Sequence, residues 1–164
     1  MAPLASLTRV TPLSTTTARF ELKTEPTAIE DEARVRDAIL RAVPKLSRWG
    51  ELPSPVTVRI APTHAELERA VHRSGYDWLR AWAMFDDLII QSPGTWAGTD
   101  RDVDELILHE LTHCLLFQTS GTATNWVNKA IPLWFREGMA TVTDEIIDLH
   151  DRILGKLFNA AKNK

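Results

Sequence analysis

Cysteine is almost missing from this chain: Cys114 is the only one. No disulfide can form within one copy and a cysteine-only metal site is excluded, which leans towards a reducing compartment and a cytoplasmic location, with secretion left open. Also lacking is any run approaching the roughly 20 apolar residues of a membrane span. The first residues, Met1 to Thr17, carry one basic side chain, Arg9, and no continuous apolar stretch of the kind a secretory signal needs. No membrane partner is therefore expected. Basic excess is missing too: 19 Lys and Arg against 22 Asp and Glu leave no broad face to neutralise phosphates. Nucleic acid is not expected as a partner.

What remains is ordinary globular material. With 164 residues the chain is long enough for one real core and too short for two, so we expect a monomeric single domain. Residues 1–16 are rich in Ser, Thr and Pro without periodicity and read as a flexible arm, leaving 17–164 as the domain. Alternation predicts a strand over Thr17–Lys23, and helical spacing predicts a helix over Thr27–Val43 that Pro44 ends. Val56–Ile60 alternates as a strand, and Thr63 with Glu66 predicts a capped helix reaching Arg73. Strands follow at Trp78–Met84 and Leu88–Gln91, with a turn at Asp86 and Asp87. The second half is helical over Thr99–Gln118, polar loop over Ser120–Lys129, helical again over Ile131–Ile147 with Pro132 in the first turn, and helical once more over Asp148–Ala161. The expected class is α+β: a small mixed sheet with helices, then two helices carrying the chemistry.

That chemistry begins at His109-Glu110-Leu111-Thr112-His113. Four residues make slightly more than one helical turn, so both imidazoles leave one face and can converge on one ion. Glu110, beside the first of them, is placed to reach a water rather than the metal. Catalytic zinc needs three protein ligands and an open fourth position, so two histidines are incomplete. Downstream, Pro132-Leu133-Trp134-Phe135-Arg136-Glu137-Gly138-Met139-Ala140 puts a carboxylate in an otherwise apolar helix, where ionisation is costly without a partner. Zinc would satisfy it; a surface glutamate paired with a nearby arginine is the other reading. Gly138 and Ala140 are small enough to let the two helices approach closely.

The paired motifs, His109-Glu110-x-x-His113 and then Pro132-Leu133-Trp134-x-x-Glu137-Gly138-x-Ala140, resemble the gluzincin metallopeptidases, in particular the small MA-like peptidases of minigluzincin type. The resemblance implies a zincin-like fold in which His109, His113 and Glu137 bind Zn2+ and Glu110 activates a zinc-bound water for peptide-bond hydrolysis. It also implies a peptide or protein substrate held in extended form on an edge strand. Trp82, Ala83 and Met84 are the candidates to line that cleft. The sequence departs from the larger members in two ways: the only tyrosine, Tyr76, lies well upstream, and no large C-terminal helical domain follows. His150 is the sole later histidine and reads as solvent-exposed. These departures motivate an alternative, a catalytically silent or latent zinc-bearing peptide-binding or regulatory domain, the latent form with its own tail, 159–164, in the cleft.

Smaller features complete the expectation. Thr141, Asp104 and Glu105 each lie one turn from a ligand and are candidates to orient the imidazoles. Cys114 points about 100° away from His113 and is expected in the core. Most of the six tryptophans are expected as core or helix contacts, and His64 and His72 as solvated.

Overall fold

The alternation of Phe20, Leu22 and Thr24 against Arg19, Glu21 and Lys23 makes one face of a strand apolar, and that face is buried. In the computed structural model, which describes residues 8–126 and 131–143, this strand is β2 (Arg19–Thr24). With β1 (Arg9–Ser14), β3 (Val56–Ala61), β4 (Ala81–Ala83) and β5 (Asp87–Gln91) it forms a mixed sheet in the order β1-β2-β3-β5-β4. The inner pairs β2·β3 and β3·β5 are parallel and both outer pairs are antiparallel. Helices α1 (Ile29–Leu46) and α3 (Asp100–Ser120) pack on each other against one face, around Leu22, Val58, Leu88 and Ile90. Helix α2 (His64–Val71) sits on the other face, where Leu67 meets Ala61, Leu79 and Ile89. A fourth helix, α4, occupies residues 133–143. The fold is α+β.

The arm reading of residues 1–16 is corrected at Arg9–Ser14, while residues 1–7 lie outside the described residues. Arg9–Ser14 is the outermost strand, paired with β2 from Arg9↔Thr24 to Ser14↔Arg19. An edge strand with a mostly solvated face shows little apolar alternation. Thr11 suits a strand, and Pro12 is tolerated at an edge. Glu32 of α1 accepts from the Thr11 hydroxyl (2.8 Å), tying β1 to the helix layer.

Pro44 does not end α1, which continues to Leu46. The carbonyl that loses its partner belongs to Leu40, an exposed position open to water, while Val43 and Leu46 hold the last turn against the core. Thr63 caps α2 as expected, accepting from the Glu66 N–H. The strand expected at Trp78–Met84 shrinks to Ala81–Ala83, because residues 76–79 form a turn closed by Leu79 N–H on the Tyr76 carbonyl. Asp87 belongs to β5 rather than to the turn.

Helix α3 starts at Asp100 because Asp102 accepts from the Thr99 N–H (2.7 Å), the carboxylate half of a capping box. It is buried continuously from Glu110 to Gln118. The last expected helix, 148–161, together with His150 and the tail 159–164, lies outside the described residues. No helix among the described residues is long and apolar enough to cross a membrane.

Candidate metal centre

Two helices build the centre. His109 and His113, one turn apart on α3, bring their Nε2 atoms to 3.1 Å. From α4, Glu137 places Oε2 3.5 Å from the first and 3.6 Å from the second. Tetrahedral coordination with bonds of about 2.0–2.1 Å separates donor atoms by about 3.3 Å. The three observed separations bracket that value, so one ion can reach all three atoms, and a nitrogen, nitrogen, carboxylate set with an open fourth direction suits zinc. These are the three residues singled out from the sequence as ligands.

Protonation favours the same use. Burial pushes the His109 imidazole below its usual range, against the pull of Glu137. His113 is pushed down to about 4, first by burial and then by its neighbour His109. Both rings are therefore neutral near pH 7 and offer lone pairs. Glu110 moves the other way: burial, then the Glu137 charge, raise its carboxyl to about 8, against a hydrogen bond from the Ala83 N–H. A dication among these groups would offset the raising effect of Glu137.

The ring of His113 is held by an aromatic chain that the sequence reading missed. Phe117, one turn on, stacks on it with ring centroids 6.0 Å apart, and Trp126 packs on Phe117 at 4.8 Å. Gly121 permits this return of the chain, since a Cβ there would stand 2.7 Å from the Trp126 backbone. Phe117 was visible as an i, i+4 partner of His113; Trp126, across a loop, was not. The expected orienting residues do not fill that role. Asp104 pairs with Arg41 (2.8 Å), Glu105 with Arg101 (2.6 Å), and Thr141 is exposed. His113 Nδ1 is buried without a hydrogen-bond partner.

Around the centre runs a cleft of about 780 Å³. Trp82, Ala83 and Met84 line it, as expected, and so does Ala81. Main-chain direction separates these four. Met84 N–H donates to the Asp87 carbonyl and Gln91 N–H to that of Arg80, so residues 80, 82 and 84 face β5. Ala81 and Ala83 face the free edge. Trp82 and Met84 contribute side chains instead, packed beside the Leu67 cluster.

Other expectations change in three dimensions. Tyr76, distant in sequence, stands on the rim of this cleft beside Trp78, at 5.6 Å between ring centroids. Of the tryptophans expected as core or helix contacts, Trp82, Trp96 and Trp126 pack against buried groups, whereas Trp49, Trp78 and Trp134 are exposed. His64 is not simply solvated, since its Nδ1 lies 3.0 Å from Gln91 Oε1, whereas His72 is exposed at the left-handed end of α2. Cys114 is fully buried in the main core, as expected. Ala140 is buried, but a Cβ on Gly138 would meet nothing within 4 Å, so Gly138 is not what lets the helices approach.

No protein-family model matches the chain. A 28-residue stretch is 96% identical to part of the transposase for transposon Tn3926 of Escherichia coli, covering 17% of this chain and 3% of that protein. The chain thus spans a small fraction of that relative's length. So short a segment is less than a domain needs to bury a core, and it carries neither a fold nor a site across.

Proposed function

We propose that this chain is a zinc-dependent metallopeptidase of gluzincin type, with His109, His113 and Glu137 as metal ligands and Glu110 as the proton-moving group. The observation that carries the reading is the spacing of His109 Nε2, His113 Nε2 and Glu137 Oε2, drawn from two helices to separations suited to one tetrahedral ion. Zinc, when bound, supplies Lewis acidity to the attacking water and the scissile carbonyl.

The chain's own residues do the rest. The free edge of β4 holds a substrate strand through the main-chain groups of Ala81 and the Ala83 carbonyl. Glu110 lines the cleft, and the nearby Ala83 N–H favours its ionised form. Glu110 accepts a proton from water at a carboxylate oxygen and delivers it to the leaving amine nitrogen. Neutral His109 and His113 stay unprotonated throughout.

Metal content tests the site before any substrate is known. Protein purified without chelator should carry about one zinc per chain, and a peptide library should then be cleaved in a zinc-dependent way that Glu110→Gln abolishes. Absence of zinc even after it is offered would end this reading. A second reading, a zinc-bearing peptide-binding domain without turnover, draws on the described residues after Glu137, which include no tyrosine or histidine to steady an oxyanion. Zinc-dependent cleavage by the wild type would exclude it.

A further inference from the structure

Among the described arginines, Arg34, Arg41, Arg59 and Arg101 each lie within 3.0 Å of a carboxylate oxygen. Arg136 differs. It lines the metal cleft from α4, only partly exposed, and its Nε is buried without a hydrogen-bond partner. The carboxylate next to it in sequence is committed elsewhere, because Glu137 turns its Oε2 to the two histidines. Successive helical residues point about 100° apart, so both side chains cannot share one direction. A buried, unpartnered guanidinium donor is costly until an anion meets it.

The surroundings say where that anion comes from. Phe117, Trp126 and Leu133 line the same cleft and keep the local dielectric low, which strengthens any charge placed there. Arg136 and His113 line the same cleft. Across the cleft lies the free edge of β4 with Ala81 and Ala83. A guanidinium in the wall of a peptide-sized cleft, beside the reacting centre and with no carboxylate paired to it among the described residues, is complementary to a charged oxygen on the occupant.

We propose that Arg136 is the anion site of this cleft, donating from its guanidinium to a negatively charged oxygen of the bound peptide. The proposal rests on the peptidase reading of the same cleft and adds the group its substrate must present. Two sources supply such an oxygen. One is the C-terminal carboxylate of the peptide, which would make the activity one that trims chain ends. The other is the carbonyl oxygen under attack. There the water oxygen bonds to carbon and the carbonyl electron pair moves onto oxygen; it returns as the C–N bond breaks and the amine takes the proton carried by Glu110.

The test uses the full zinc-loaded chain and one probe in two forms, an N-acetylated tripeptide of phenylalanine, alanine and phenylalanine as free acid and as C-terminal amide. Calorimetric affinity, kcat and KM are measured for wild type, Arg136→Lys and Arg136→Gln, with zinc content and circular dichroism checking each variant. For a terminal carboxylate, wild type binds the acid roughly ten- to a hundredfold more tightly than the amide, Gln erases the difference and Lys restores part of it. For the attacked carbonyl, both forms bind alike but kcat falls roughly ten- to a hundredfold in Gln, with KM little changed. If Gln loses zinc, wild type against Lys reads the same contrast at smaller size. Affinity and kcat both unmoved by the substitutions would overturn the proposal, as would failure of the wild type to bind either form. Arg136-dependent binding of the acid without any cleavage would instead overturn the peptidase reading and leave this one standing.

Discussion

Glu137 and Glu110 are both glutamates beside the same two histidines, yet their surroundings separate their roles. Glu137 has a half-exposed side chain that reaches both Nε2 atoms, whereas Glu110 is buried under β4 with the Ala83 N–H upon it. Removing a ligand and removing a proton carrier should therefore look different. Glu137→Ala is expected to weaken zinc by more than the roughly 10–100-fold that loss of an outer partner costs, read by competition with a chromogenic chelator. Glu110→Gln is expected to keep zinc while kcat falls by at least roughly 10²–10⁴-fold. Cleavage by that variant at the wild-type rate would remove Glu110 from the mechanism. Cys114, adjacent to His113, is fully buried, and burial pushes its thiol far up. It should resist alkylation by iodoacetamide at pH 8 in the folded protein and react once unfolded; rapid labelling of native protein would contradict that packing.

Among the elements, α3 is the one legible almost entirely from sequence, because its apolar positions and its two histidines obey the same local period, while its capping box at Thr99 and Asp102 emerged only in the structure. Its ties to α1 were not legible. Arg34 reaches Asp100 (2.9 Å) and Arg41 reaches Asp104 (2.8 Å) across more than sixty residues, which is why Asp104 cannot serve the imidazoles. The rim of the cleft is likewise set from afar. Glu68 on α2 accepts from the N–H groups of Gly75 (2.8 Å) and Tyr76 (3.2 Å), and Gly75 takes a positive φ of 81° there. Glu68 thus shapes the loop that carries Tyr76 and Trp78. Glu68→Ala should speed amide exchange at Gly75 and Tyr76 and cost about 1–3 kcal/mol of stability, with zinc content unchanged. Unaltered exchange at those two amides would show that the loop is held by something else.

For the whole molecule, the buried groups of the centre make stability depend on pH and metal together. In the metal-free chain the folded carboxyl of Glu110 titrates at about 8 against an ordinary 4.5, so the stability it permits is full below 4.5 and is lost as pH rises through 8. His113 has the opposite sign: its folded value of about 4 against 6.5 leaves stability full above 6.5 and lost as pH falls through 4. The two oppose each other between 4.5 and 6.5, so only the Glu110 effect remains above 6.5. Metal-free protein should therefore lose stability, on the order of 2 kcal/mol, from pH 6.5 to 8 in denaturant titrations. Glu110→Gln should flatten that decline, and an equal decline in the variant would locate the effect elsewhere. If the proposed centre holds zinc, added zinc should raise Tm in the wild type, since a ligand of the folded chain alone stabilises it.

The sequence by itself determined whatever depends on neighbours a few residues apart: the helical face that presents His109 and His113, the start of α3 to within one residue, the cap at Thr63 and the alternation of β2 and β3. It also singled out Glu137 as a carboxylate among apolar neighbours in sequence, although the structure leaves that side chain half-exposed, so the expected cost of charge there does not arise. Tertiary structure decided what depends on which segments meet. It made Arg9–Ser14 an edge strand, turned the main chains of Ala81 and Ala83 to the open side of β4, and laid Trp126 on Phe117 behind His113. It also left Arg136 lining a cleft with its Nε buried and unpartnered among the described residues. The physical reason is the range of the forces involved. Helical period and capping act within one or two turns of chain, whereas a free edge, a stacked ring and an unpaired charge exist only once distant segments have closed around one core.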